Sequence, residues 1–380
     1  MGQFTIEKPA LDLIYLVSCA VNEEEPSREK CAEMDLDALF EMSLRHSLTA
    51  AVAYALERIM PLPEAFREEK YKVIRRLSEY EIECKRIFAE FDKRGIWHLP
   101  LKGIVINRYY PRLAMREMGD NDILCDSARM ADVKAIMEGL GYECRRFAKD
   151  HHDVYQKSDV IDFEMHNSLF NPVKYPELYE YFKNIRSRLI REEGSDFCYR
   201  MTDEDFYLFL ICHLHKHYSG SGTGLRSLLD VYMFNRGPGA GLDREYLNKE
   251  LAGLGLLSFE ENVSALAEKV FGGGLLTEKE QSALGFFVES NTLGTSKIRV
   301  MHLLGNEDSA KAKCKYIMKR IFLPRKEFER LYPNMSGRKI PYPFLVIYRP
   351  AVIILKRNKK SVKELKRIKS FKKNDNIEQF

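Results

Sequence analysis

The sequence predicts an α+β fold: a small mixed-sheet core flanked by N-terminal and C-terminal helical regions. Three observations carry that expectation. Apolar residues recur at spacings of three and four through residues 36–56 and 71–91, the pattern changes to short β-like runs between residues 96 and 166, and helical spacing returns after residue 202.

Taken in order, the first two helical stretches are separated by the Pro61-Leu62-Pro63 break. Residues 96–102 read as a strand, and Gly103 opens a helical stretch reaching residue 112. A second strand covers residues 120–125. Asp126-Ser127 then supply an N-cap for a helix over residues 128–140, which Gly141 ends. Short strands follow at residues 142–147, 153–156 and 160–166, bounded by turn-forming residues. Beyond residue 202 the spacing predicts helices at 206–217, 225–234, 244–251, 259–270 and 278–289, with Gly-rich joints at 219–224, 237–241 and 272–274. This divides the chain into a helical region (1–95), an α/β core (96–200), a second helical region (201–335) and an apolar then basic tail (336–380).

The 380 residues are 45% hydrophobic and 31% charged, a balance that excludes a disordered, collagenous or disulfide-framework protein. Lys and Arg number 60 against 56 acidic residues, yet residues 356–380 alone hold ten basic and three acidic side chains. The body is slightly acidic, so nucleic acid is unsupported as a partner outside the basic tail. Eight cysteines without a CxxC pair point to a reducing, cytoplasmic compartment. The apolar run at 10–21 contains Asp12 and follows no basic segment, so a signal peptide is not expected. The tail allows three readings: a solvated helix end, nucleic-acid contact, or peripheral membrane contact by residues 344–373.

The segment most informative about chemistry is Asp120-Asn121-Asp122. On a strand, residues two apart share a face, so these carboxylates stand side by side, an arrangement suited to Mg²⁺ and its preference for oxygen. In the later strand Asp162, Glu164 and His166 share one face, and Ile161, Phe163 and Met165 the other. Two such strands could hold two metal ions for phosphoryl displacement. Pattern alone also allows a turn at Asp120 and solvated carboxylates at Asp122 and Glu164. Lys102 ends a strand just before a helix, where phosphate could be met, or is simply solvated. Arg116 could grip a triphosphate bidentately or pair with Glu117 or another local acid. His213 and His217 lie at i and i+4, a zinc-compatible spacing, but Leu214 stands where an HExxH glutamate would be, and a structural or substrate-lining role is the alternative. Residues 219–227 lack Gly-Lys-Ser/Thr and follow a helix, so they read as an inter-helix loop. His151-His152 read as a surface turn.

The combination of Leu99-Pro100-Leu101-Lys102-Gly103, Tyr109-Tyr110-Pro111, Arg116, Asp120-Asn121-Asp122-Ile123-Leu124 and Glu164-Met165-His166 resembles the uncharacterised nucleotidyltransferase family of the DNA polymerase β-like superfamily. The likeness continues through His213-Leu214-His215-Lys216-His217, Gly224-Leu225-Arg226, Leu228-Leu229-Asp230, Phe322-Leu323-Pro324 and Leu331-Tyr332-Pro333, spanning about residues 96–350. The resemblance implies Mg²⁺-dependent transfer of a nucleoside monophosphate from an NTP such as ATP to a hydroxyl of an unidentified acceptor. Asp120, Asp122 and Glu164 would hold two Mg²⁺ ions, with Mn²⁺ a possible substitute. Lys102, Gly103 and Arg116 would face the nucleotide phosphates, and His166, His217, Arg226 and Asp230 would shape the substrate pocket. Three features depart from the superfamily pattern: Lys102-Gly103 replaces the usual Gly-Ser, the interval from Gly103 to Asp120 is longer than usual, and Asn121 replaces an apolar residue between the two aspartates. A catalytically inactive nucleotide-binding protein on the same scaffold is the alternative.

Overall fold

The computed structural model describes residues 6–292 and 295, apart from residues 120 and 160. Asp120, the apolar stretch at 344–355, the basic tail and the motifs at 322–333 therefore lie outside the described residues. Five helices open the chain: α1 (Lys8–Val21), α2 (Arg28–Ala32), α3 (Leu36–His46), α4 (Thr49–Leu56) and α5 (Glu64–Lys93). The Asp35 carboxylate caps α3 by accepting from the amides of Asp37 and Ala38. The helical stretch expected over 36–56 is two helices, because Ser47 adopts a left-handed conformation (φ 54°) that ends α3.

The core follows as β1 (His98–Pro100), α6 (Gly103–Ile106), β2 (Asn121–Cys125), α7 (Met130–Gly139), β3 (Glu143–Arg146), β4 (His152–Gln156) and β5 (Asp162–His166). The strands form one mixed sheet in the order β1-β2-β5-β4-β3, in which β2 and β5 are parallel and the other neighbours antiparallel. Next come α8 (Pro176–Phe182) and a small ribbon of β6 (Ile190–Arg191) and β7 (Tyr199–Arg200). The closing helices are α9 (Asp203–Tyr218), α10 (Leu225–Arg236), α11 (Arg244–Gly253), α12 (Leu257–Gly272) and α13 (Glu278–Ser290).

Burial separates the two sheet faces. Ile123, Cys125, Tyr155, Phe163 and Met165 pack behind the sheet with Tyr80, Ile87 and Phe91 of α5 and Val133, Ile136 and Met137 of α7. Each fully buried side chain of that size contributes about 1.5–3 kcal/mol. Leu99, Leu101 and Leu124 join a larger core shared by α1, α3, α4 and α9–α13. The front of the sheet, which carries Asp122 of β2 and Glu164 and His166 of β5, is thereby turned toward the C-terminal helices. No helix among the described residues is long and apolar enough to cross a membrane, and the seven described cysteines are free of disulfides.

Candidate active site

Parallel pairing of β2 with β5 sets Asp122 opposite Glu164 and Leu124 opposite His166. Period-two alternation puts the apolar Ile123 and Met165 behind and both carboxylates in front. Asp122 is only 2% exposed, and its Oδ1 accepts from Lys102 Nζ at 2.8 Å and His166 Nε2 at 2.7 Å. Burial pushes its carboxyl up, but the Lys102 ammonium and the His166 hydrogen bond outweigh burial and hold it well below the usual carboxylate range. Glu164 lies 3.4 Å from His152 Nε2 and 3.7 Å from His166 Nε2, and the His152 contact likewise overcomes burial and lowers its pKa. Asp122, Glu164 and His166 each offer a ligand atom within 4.8 Å of the others, a combination able to hold a metal ion.

Lys102 reaches Asp122 from the N-cap of α6 with φ 45° and ψ −112°, a backbone conformation rare outside glycine. Such strain costs about 1–3 kcal/mol and persists where the surroundings over-determine it. Here the ion pair with Asp122 and the Leu101 amide bonded to the Asp122 carbonyl fix the segment on both sides.

His151 and His152 are not a surface turn. β4 is antiparallel to β5 with His152 opposite His166, and His151, His152 and His166 form a second grouping with ligand atoms within 4.8 Å. The signal was available: extending the strand expected at 153–156 by one residue gives His152 the parity of the front face. Asp162 departs from its expected place beside Glu164 and His166. At the start of β5 it accepts the Tyr80 hydroxyl at 2.8 Å, because α5 reaches the open end of the strand.

Across the cleft, α9 presents His213, Lys216 and His217 on one face, spaced i, i+3 and i+4. His213 and His217 approach within 3.1 Å through their Nε2 atoms. Burial and the nearby Lys216 and Lys102 push His217 down to about 3, while Asp122 pulls it the other way. Lys216, which the sequence reading passed over, is lowered to about 8 by burial and Lys102 against the pull of Asp122 and Glu164. Neither His213 nor His217 belongs to the two metal-capable groupings among the described residues, so the zinc reading of this pair gains no third ligand.

The family model for uncharacterised nucleotidyltransferases matches residues 32–272. The chain belongs to that family. No curated protein and no solved structure matches it significantly. The match begins in the N-terminal helices, earlier than the resemblance traced from residue 96, and ends before the motifs at 322–333.

Within this nucleotidyltransferase-family fold, three of the residues expected around the substrates brace the protein. Arg116, expected at the phosphates, binds Asp230 of α10 through Nε to Oδ1 at 2.7 Å and Nη2 to Oδ2 at 2.9 Å, and the Tyr110 hydroxyl donates to the same carboxylate at 2.7 Å. The pair is buried, with side-chain exposures of 9% and 6%. Asp230 therefore faces the loop before β2, where Arg226 also donates to the Glu117 carbonyl at 2.6 Å. Glu117 does not pair with Arg116; its Oε1 accepts from the Ala50 amide in the first turn of α4. Gly103 leaves room for this brace, since a Cβ there would stand 2.7 Å from Arg116 Nη1.

Proposed function

We propose that the chain is a Mg²⁺-dependent nucleotidyltransferase that moves a nucleoside monophosphate from an NTP to a hydroxyl of its acceptor. The observation that carries this reading is the in-register pair of Asp122, which is buried, and Glu164 on adjacent parallel strands. A divalent ion fits the donor set. Two ionised carboxylates and an imidazole lie within 4.8 Å, and the Lys102 ammonium already rests on Asp122 where a cation is favoured. Asp122 and Glu164 would hold the ions together with Asp120, two residues before Asp122 in the sequence. The carboxylate oxygens suit Mn²⁺ as well as Mg²⁺. Bound there, the ions supply neutralisation of the triphosphate and a lowered pKa for the attacking hydroxyl.

The protein's own groups then divide the remaining work. Lys102 and Lys216, on opposite walls, supply positive charge for the phosphate oxygens. Glu164, kept ionised, can accept the proton of the acceptor hydroxyl, and His166 holds the Asp122 carboxylate in place. A second reading, nucleotide binding without transfer, is favoured by the 2.8 Å Lys102–Asp122 ion pair in a chain that lacks the usual Gly-Ser. An assay with each α-³²P-labelled NTP, with and without EDTA, separates the two. Transfer is expected with Mg²⁺ or Mn²⁺ in wild type and at least about 100-fold less in Asp122→Asn and Glu164→Gln. Nucleotide binding with no transfer to any acceptor fraction would leave the second reading standing.

A further inference from the structure

A cavity of about 490 Å³ lies past the ends of β2 and β5, between residues 148–151, residues 167–172 and α8. Two of its wall residues join it to the carboxylate site. The His151 ring centre stands 5.5 Å from that of His166, which holds Asp122. Lys216, which faces both carboxylates, lies 5.8 Å from the ring centre of Phe170. Trp97, Tyr179 and Phe182 extend the aromatic wall. The charge in the cavity is one-sided, with Lys149, Lys183 and Arg186 against a single carboxylate, Asp150. Asp150 is already engaged, accepting from the His151 amide, His151 Nδ1 and Asn171 Nδ2. Lys183 pairs with Glu180 of α8. Arg186 lies 5.4 Å from the ring centre of Trp97 and 3.5 Å from that of Tyr199, and among the described residues no carboxylate pairs with it or with Lys149.

A cavity of this size with aromatic walls and a few polar groups suits a small molecule. Cations without a counter-charge favour an anionic occupant, and a lysine beside a guanidinium is a combination that grips phosphate. Resting on the transfer reading above, we propose that this cavity takes the acceptor, a small phosphorylated polyol whose phosphate is held by Lys149 and Arg186 and whose hydroxyl is turned past His151 toward the carboxylates. In the step this implies, the hydroxyl oxygen attacks the α-phosphorus of the NTP and its proton passes to Glu164. The bond from the α-phosphorus to the bridging β-phosphate oxygen breaks and pyrophosphate leaves, so the acceptor gains the nucleoside monophosphate and keeps its own phosphate.

Trp97 is the single tryptophan of the chain, so its emission reports on this cavity. Titration of the full chain with ribose 5-phosphate, with neither nucleotide nor metal present, is expected to shift that emission saturably. Ribose should bind at least tenfold more weakly, and saturating Mg-ATP should leave the affinity for ribose 5-phosphate unchanged. By calorimetry, Lys149→Gln and Arg186→Gln should each weaken ribose 5-phosphate at least tenfold, whereas Lys279→Gln on α13 should not. Lys149 and Arg186 are exposed, and unchanged melting temperatures would establish that the variants fold. Ribose bound as tightly as its phosphate, displacement by Mg-ATP, wild-type affinity in both cavity variants, an equal loss in Lys279→Gln, or no binding at millimolar concentration would overturn the inference. Label transfer in the assay above would still stand or fall on its own, so the two failures are distinguishable.

Discussion

Removing Arg116 tests whether the brace between the loop before β2 and α10 holds the fold together. In Arg116→Met the aliphatic length is kept, but Asp230 stays buried with one remaining hydrogen bond, from Tyr110, where it had three. Breaking a buried ion pair from one side costs about 3–5 kcal/mol, because the surviving charge is uncompensated. That is a large part of the 5–15 kcal/mol typical of folded domains. With a urea slope near 3 kcal/mol/M, the unfolding midpoint should fall by roughly 1 M or more. The double variant Arg116→Met/Asp230→Leu removes both charges, and apolar replacement of a whole buried pair is commonly neutral or stabilising by about 1–4 kcal/mol. It should therefore regain most of the lost midpoint, and the double-mutant cycle should show a coupling of several kcal/mol. Urea unfolding followed by circular dichroism reads all four corners of the cycle. A single variant losing less than about 1 kcal/mol, or a double variant as unstable as the sum of the two single ones, would refute the reasoning.

Three further outcomes are expected. Lys216, lowered to about 8, carries its charge below that pH, so affinity for a triphosphate should fall as pH rises through 8, and Lys216→Arg should flatten the decline in NTP titrations from pH 7 to 9.5. His46, held down to about 3 first by burial, is bound as the neutral ring; its folded pKa lies below the unfolded value, so stability is full above about 6.5 and falls by about 1.4 kcal/mol per pH unit below it. Urea midpoints between pH 5 and 7.5 should show that acid limb in wild type and a shallower one in His46→Gln. In Gly224→Ala a Cβ would stand 2.7 Å from the Asn291 backbone and 2.8 Å from His46 Nδ1, so overpacking should cost about 1–3 kcal/mol, read as a lowered melting temperature.

The front face of the site was legible because strand alternation is local. Glu164 and His166 share a face by parity alone, and Asp122 lies within a strand marked by the apolar run that follows it. The helices from α9 to α13 were legible for the same reason, since spacings of three and four are written in consecutive residues. His152 escaped because the strand begins one residue before the alternating run that marks it, and Ser47 escaped because a left-handed helix end in a non-glycine residue leaves no compositional trace.

The sequence by itself determined which residues can carry charge on a buried strand face, which stretches coil and which extend, and that two carboxylate-bearing strands lie in one α/β core. Only the tertiary structure decided that Asp122 sits opposite Glu164, that His152 meets His166, that Lys216 faces both carboxylates and that Arg116 pairs with Asp230. The Arg116–Asp230 partners are separated by 114 residues. No local period reports such a separation: the register between distant strands and the rotation of α9 and α10 against the sheet are set by how the whole apolar surface closes, and the charged groups take the partners that this closure leaves within reach.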